Sequence, residues 1–491
     1  MTTEREIKLD VPEDFEMPDV TKAAKGLAIA DGGTATYDTA WFDTPDFRLA
    51  RWGASLRYRD GQGWTLKLDP VAENGMLFRG ELTFEGDAGS VPEAVTDLVR
   101  AYARGAALAP RVRATTTRRR LMIGQTDRPV VELVDDAVEV TEAPSGASRF
   151  RQIEIEVLGD DGARVARDLA KELRAAGAPK APGDPKVDRA LGGHPEPEFE
   201  VPPVGKGSTI GVLVRAAIAE PVRALISHAP GVRLGRDPED VHKARVATRR
   251  LRSNLRTFGD WLEADWAADL RTELGWLADD LGAVRDADVM FDRLRDAVEA
   301  LDDEDRAAGA ALLDGLATVR AEAGERLLAS TATDRYDLLL DRLVAAARAP
   351  SLRGATDAPA RAAAPVVEAA WRKLRRAVRR AKGASDPTAL HRVRIRAKRA
   401  RYAAEAVQPA FGGRADAFAR LAAELQDVLG EHHDAIVLEA WLREAAAKSR
   451  ARQAFVAGEL AAQQRRTAGV QAAAWRDVWR SLARKRNRFW T

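Results

Sequence analysis

The chain has 491 residues, more than one ordinary hydrophobic core organises, so its length predicts two or three domains. It contains no cysteine, which excludes disulfides, thiolate zinc sites and cysteine nucleophiles and suits a reducing cytoplasm. The amino-terminal MTTEREIKLD is charged where a secretory signal needs an apolar run, and no stretch approaches the ~20 apolar residues of a membrane span. A soluble, cytoplasmic protein with no membrane partner is expected.

Strand signals dominate the first part, at residues 5–9, 35–42, 55–58, 64–68, 80–84, 116–123, 130–134 and 152–158. Helical spacing appears only at 91–108 and 162–176. About eight strands with a few helices predict a mostly antiparallel β domain over residues 1–192, and a closed sheet of that size has room inside for side chains or one small ligand. A Pro/Gly-rich linker follows at 193–207. Residues 1–207 hold 28 Lys and Arg against 36 Asp and Glu, a net of −8, whereas residues 208–491 hold 49 against 39, a net of +10. That second part is rich in alanine, arginine and leucine at 3.6 periodicity, which predicts an all-helical domain. The fold class expected is thus a two-domain α+β chain: an eight-stranded antiparallel β-barrel tunnel with outer helices, then two related helical bundles.

In the β part, charged residues recur two apart, which places them on one face of a strand. Glu4, Glu6 and Lys8 begin the series, followed by Arg57 with Arg59, Lys67, Arg79 with Glu81, Arg118 with Arg120, and Glu154 with Glu156. Ile7 and Leu9, Leu56 and Tyr58, and Ile153 and Ile155 supply the opposite, apolar face. An open sheet could turn one such pair to water, but recurrence along the domain points to a closed sheet with its charges inward. Burying them requires ligands, waters or mutual pairing. Clustered carboxylates beside clustered Arg and Lys suit a metal-bound polyanion, with hard cations on the carboxylates and phosphate oxygens on the bases.

Glu4-Arg5-Glu6-Ile7-Lys8 resembles the E-x-E-x-K signature of the CYTH domain, the triphosphate tunnel metalloenzymes. Further elements follow in that family's order: residues 37–46 (YDTAWFDTPD), 56–59 (LRYR), 65–67 (TLK), 79–81 (RGE), 132–135 (ELVD), 154–156 (EIE) and Lys186 within DPKVDRA. The resemblance covers residues 1–190 and implies an eight-stranded tunnel that hydrolyses a triphosphate with Mg2+ or Mn2+. It also implies Glu4, Glu6, Glu154 and Glu156 as metal ligands and, with Lys8, catalytic residues, and Asp135 as an additional ligand or outer-shell partner. Phosphate binding would fall to Lys8, Arg57, Arg59, Lys67, Arg79 and Lys186. The register of residues 111–120 leaves Arg113, Arg118 and Arg120 all open as the tunnel arginine. No histidine occurs in residues 1–190, so no histidine-activated nucleophile is available there; metal ions and fixed cations suffice for phosphoryl transfer to water.

The helical part contains an internal repeat. VHKARVATRRLR from Val241 aligns with LHRVRIRAKRAR from Leu390, matching His242 with His391, Arg245 with Arg394, Arg249 with Lys398, Arg250 with Arg399 and Arg252 with Arg401. A second pair follows, LGAVRD at 281–286 against LGEHHD at 429–434. In each copy the histidine and three basic residues form one helical stripe. From Trp371 to Arg401, 13 of 31 residues are Lys or Arg and only Asp386 is acidic, a concentration that calls for an anionic partner. Nucleic acid is disfavoured, because few aromatics interleave the basic positions and no nucleic-acid motif is present.

These features resemble the CHAD domain, a conserved-histidine helical domain that often follows CYTH in one chain. The resemblance spans 208–491 and rests on His242, His391, His432 or His433, and the basic residues of the repeat. It implies inorganic polyphosphate as partner, in the cytoplasm and at polyphosphate granules; His194 and His228 lie outside the motifs. Three functions stay open from sequence: an inorganic triphosphatase with a polyphosphate-binding module, a thiamine triphosphatase or class IV-type adenylate cyclase, and a non-enzymatic polyphosphate-binding scaffold.

Overall fold

The structure is a computed structural model that describes residues 2–490 except 25, 69–70, 74–75, 126–127, 160, 180–185 and 382–386; of residues 2–4, 71–73, 76–79 and 387 it describes the backbone only. The chain divides into two compact units, Met1–Glu198 and Phe199–Thr491, a boundary that falls inside the Pro/Gly-rich segment 193–207.

The first unit is built on β1 (Thr2–Val11), β2 (Ala28–Asp43), β3 (Ser55–Arg59), β4 (Gly63–Lys67), β5 (Val71–Glu73), β6 (Met76–Phe84), β7 (Ala109–Gln125), β8 (Arg128–Glu142) and β9 (Ser148–Val157). All pairings are antiparallel in the order β1-β9-β8-β7-β2-β3-β4-β6, and β1 also pairs with β6, so eight strands close into a ring with β5 attached to β6. Its helices are α1 (Thr21–Ala24), α2 (Arg48–Arg51), α3 (Glu93–Leu98), α4 (Arg100–Ala103), α5 (Gly162–Ala175) and α6 (Lys186–Ala190). The single helix expected at 91–108 is therefore two short ones. The second ends at Arg104, which takes a left-handed φ of 48° before Gly105 and forms a buried ion pair of 2.5 Å with Glu198.

Strand alternation sorts the barrel into two faces. Ile7, Leu9, Val131, Leu133, Ile153 and Ile155 point outward and pack under Leu169 and Leu173 of amphipathic α5. The polar residues between them point inward. Farther along the inner face, Trp41, Val112, Ala114, Val138 and Val140 pack with Val187 and Ala190 of α6, which closes that end with an apolar plug.

The second unit is helical: α7 (Ile210–Leu234), α8 (Pro238–Thr257), α9 (Ala264–Glu299), α10 (Asp303–Ser330), α11 (Asp334–Arg348), α12 (Ala364–Ala381), α13 (Pro387–Phe411), α14 (Gly413–Lys448) and α15 (Ala451–Leu482). Asp237 caps α8 by accepting from the Glu239 amide and Pro238 opens its first turn, so the start of the first basic helix is fixed locally. The two copies of the repeat fall on α8 with α9 and on α13 with α14. Leu294 and Val298 of α9, Leu312 and Leu316 of α10, Leu438 and Leu442 of α14, and Val456 and Leu460 of α15 form one core shared by both copies. No helix among the described residues is long and apolar enough to cross a membrane.

Candidate functional site

Inside the barrel, Glu6 of β1 lies opposite Glu156 of β9, which lies opposite Glu132 of β8, so three carboxylates stand in a row on neighbouring strands. Directly opposed like charges are unfavourable. Burial, then Glu132 and Glu6, push the Glu156 carboxyl above its ordinary range. The adjoining carboxylates are instead neutralised. Lys8 Nζ is 3.2 Å from Glu6 and 3.4 Å from Glu154. Lys186 Nζ, carried in by α6, is 2.6 Å from Asp136 and 2.8 Å from Glu154. Arg118 donates two 2.8 Å hydrogen bonds to Asp136 and lies 3.4 Å from Glu154. Burial would raise both acids, but Lys186 leads the surrounding cations in outweighing it, and Asp136 is held below and Glu154 well below the usual carboxylate range.

The facing wall comes from β3 and β4. Arg57 and Lys67 line the lumen, with Lys67 2.8 Å from Glu81 and Arg57 Nε buried without a hydrogen-bond partner. Arg59 lies 4.7 Å over the Tyr37 ring, and burial, Arg57 and Arg118 push its guanidinium down to about 9. About 70 Å3 of free space remains in the lumen. An anion seated there competes with the internal carboxylates for Lys8, Lys67, Arg118 and Lys186.

Of the three arginines left open by sequence, Arg118 is the one inside this web. Arg120 shares its face but is 41% exposed and 4.0 Å from Glu132, and Arg113 is exposed and pairs with Glu142 at 3.3 Å. Asp135 is not in the lumen: Val131 and Leu133 belong to the outer core, so alternation turns Asp135 outward, where Arg151 donates to it at 2.9 and 2.7 Å. Its neighbour Asp136 has the inner position. From sequence, Glu132 has no expected site role beyond its place within ELVD and Asp136 has none, although the apolar parity of β8 carries the signal for both. Glu4 pairs with Arg79 in the β1–β6 register, and both side chains lie outside the described ones. Among the described residues no three His, Asp or Glu side chains converge tightly enough to hold a metal as they stand.

In the helical unit the stripes of α8 and α13 act on one another. Burial, then Arg249, Arg245 and Arg394, push Lys398 down to about 7. The rings of His391 and His433 are 4.8 Å apart, and burial, Arg394 and His391 push His433 to about 4. Burial also lowers His242, aided by Arg285, and His391, aided by Arg394; the Nδ1 atoms of both are buried without a hydrogen-bond partner. The second motif pair packs equivalently in both copies: a Cβ on Gly282 would lie 3.9 Å from Arg245 Nε, and one on Gly430 3.8 Å from Arg394 Nε. Asp286 binds Arg245 at 2.8 Å.

Not every expected cation joins this group. Arg250 and Arg401 converge on Glu405 at 2.9 and 2.6 Å, and Arg249 also donates to the Tyr402 hydroxyl. Arg252 and Arg399 belong to a second cluster with Arg271 and Arg396, where burial, then Arg399 and Arg271, push Arg256 down to about 10. His432 is buried with Nδ1 3.0 Å from the Ala468 carbonyl, while His228 binds Asp240 and His194 binds Asp188, all structural contacts.

The CYTH family model matches residues 2–187 and the CHAD family model residues 216–443. An uncharacterized protein of Mycobacterium tuberculosis is 33% identical over 469 residues, 88% of this chain and 87% of its own. Among solved structures, PptA from Streptomyces chartreusis is similar over 56% of this chain and 100% of its own, at 24% identity and a TM-score of 0.47. The CHAD domain from the plant Ricinus communis is similar over 58% of this chain and 95% of its own, also at 24% identity and 0.47. Two family domains in this order, and a relative matched along nearly its whole length, mean that the chain belongs to the proteins in which a CYTH domain is followed by a CHAD domain.

Proposed function

We propose that the barrel hydrolyses a phosphoanhydride bond of a linear triphosphate, inorganic triphosphate foremost, with Mg2+ or Mn2+, and that the helical unit binds inorganic polyphosphate. The observation that carries the reading is the row Glu6, Glu156 and Glu132 beside a wall of fixed cations. CYTH domains are metalloenzymes that act on triphosphates, and the chain belongs to that family. A carboxylate row whose central member resists ionisation fits a hard divalent cation. Glu6, Glu132 and Glu156, with Glu4 at the neighbouring position of β1, would hold it. When bound, such a cation neutralises charge on the phosphoryl oxygens.

The protein's own groups do the rest. Lys8, Lys67, Arg118 and Lys186 exchange internal carboxylates for phosphate oxygens, Arg59 gives up Thr39 and Gln62, and Arg57, with its unpartnered Nε, is ready to donate without breaking a bond. Because its carboxyl is held above the ordinary range, Glu156 would ligate a cation in its ionised form, so metal affinity would rise with pH. In the helical unit, cations that depress one another are relieved by an anion, and the two orphaned histidine Nδ1 atoms gain a partner.

The test is phosphate release from inorganic triphosphate, thiamine triphosphate and ATP with Mg2+, Mn2+ or EDTA, in wild type, Glu6→Gln and Glu156→Gln. Inorganic triphosphate turnover that is metal-dependent and falls ~10²–10³-fold in both variants is expected. Turnover untouched by EDTA sinks the reading, and cyclic nucleotide formation from ATP redirects it.

A further inference from the structure

Helices α12 and α13 enclose a second cationic groove that the internal repeat does not account for. Lys373, Arg376 and Arg380 on α12 face Arg392, Arg396 and Arg399 on α13 across a space of about 600 Å3, floored by Ala377, Ala389 and Ile395. No carboxylate and no aromatic ring is among the described residues that line it. The spacing is i, i+3, i+7 on α12 and i, i+4, i+7 on α13, so each helix presents one continuous cationic edge. Trp371, Leu374 and Val378 of α12 are buried, and they fix which edge looks outward.

Like charges at this spacing destabilise a helix, and the fold does not need them. In the first copy of the repeat, α7 packs before α8 as α12 packs before α13, yet its sequence is IGVLVRAAIAEPVRALISHAPGVRL, largely apolar. The groove is therefore a departure from the internal symmetry. It adjoins the second cluster already described: Arg396 and Arg399 of the groove act on Arg256 together with Arg271 and Arg252.

We propose that this groove is a second anion track, which takes a further run of a linear polyphosphate whose first run lies along the α8 and α13 stripes, and so makes the domain selective for long chains. The inference rests on the polyphosphate reading above. A short oligophosphate reaches one track; a long chain reaches both, and the second contact forms at the high effective concentration of a tethered ligand. The missing aromatic rings disfavour nucleic acid, whose bases would want a stacking surface.

The experiment uses the full chain with long-chain polyphosphate, a short oligophosphate and single-stranded DNA as probes. The groove variant Arg376→Gln/Arg380→Gln/Arg392→Gln alters three exposed side chains, and the stripe variant Arg394→Gln/Lys398→Gln serves beside it; both keep the barrel unaltered. The groove variant should lose roughly tenfold or more in long-chain affinity, with a shallower salt slope, and hold oligophosphate affinity within about twofold. The stripe variant should weaken both. Unchanged long-chain affinity in the groove variant, equal losses for both lengths, or a DNA loss matching the polyphosphate loss would each overturn the second track. A stripe variant that keeps full affinity for both lengths overturns the underlying polyphosphate reading instead.

Discussion

The barrel lumen and the helical stripes both concentrate cations, but they settle the resulting electrostatics in opposite ways. In the barrel, Asp136 and Glu154 are almost wholly withdrawn from water and owe their ionisation to Lys186, Lys8 and Arg118. On α8 and α13 the cations outnumber the acids around them, and burial together with those cations makes Lys398 of α13 and His433 of α14 yield their protons readily. A mixed-charge interior is fixed in geometry and suits a small metal-bound anion that must be held in one pose. A single-sign array stores repulsion, which any sufficiently long anion relieves, and it suits a flexible polymer read by charge and length.

The contrast is broken most directly by removing one lysine from each. Lys186→Met leaves two buried carboxylates short of a partner and should cost the barrel ~3 kcal/mol, with activity lost alongside. Lys398→Met removes a charge that its neighbours disfavour and should leave the helical unit as stable or more so, while weakening polyphosphate binding. Separate thermal transitions for the two units, followed by calorimetry, check both; equal destabilisation would erase the distinction.

A smaller effect is expected from reversing charge across the two stripes. Arg245→Glu with Arg394→Glu should lower long-chain polyphosphate affinity by roughly 100-fold at low salt and flatten its salt dependence, since fewer counterions are released. Arg326 and Arg466, exposed on α10 and α15, serve as comparators; Arg320 of α10 does not, since it holds buried Asp288 at 2.6 Å and its loss would confound folding with binding. Losses of equal size from the comparator pair would mean that attraction is diffuse.

Much of both regions was legible in the sequence because each repeats a short rule. Period-two charges on apolar-backed strands gave the barrel faces, and the duplicated histidine stripe gave α8 and α13. What escaped depended on parity or on distant partners. Asp135 and Asp136 are adjacent acids, and only the outward commitment of Leu133 decides between them. The helix expected at 91–108 stops early because Arg104 turns to meet Glu198, 94 residues away. The outer groove escaped because its cations, read in sequence, blend with those of the stripe, and only the packing of α12 on α13 separates the two edges.

The next effect is a matter of pH. Lys398 titrates at about 7 beside Arg245 and Arg249 of α8 and Arg394 of α13, opposed by Asp286 of α9. A bound anion favours the protonated amine and raises that value. The binding contribution is therefore fully present below the free value of about 7 and is lost as pH rises through the higher bound value. Affinity should fall above neutrality by at most about tenfold per pH unit, the slope of one linked proton. Lys398→Arg, charged throughout this range, should flatten the profile in titrations at fixed ionic strength. An unchanged slope in that variant would assign the pH dependence to another group.

The smallest effect separates the two regions by how tightly their backbones are approached. Gly162, the first residue of α5, sits so close to β8 that a Cβ would lie 2.1 Å from the Val130 carbonyl oxygen, so alanine there must displace helix from sheet. Gly430 lies inside α14, where a Cβ meets the Arg394 guanidinium, Nε at 3.8 Å and Nη2 at 3.9 Å, an ordinary contact with a flexible side chain. Gly430→Ala should therefore gain the usual helix-interior advantage of alanine over glycine, ~0.5–1 kcal/mol, and change polyphosphate affinity by no more than about twofold. The equivalent Gly282→Ala beneath Arg245, where the Cβ distance is 3.9 Å, should behave the same way. If either alanine instead lowers affinity tenfold without loss of stability, the glycine holds the guanidinium flat against its helix for the anion, and the stripe is as dependent on fixed geometry as the barrel is.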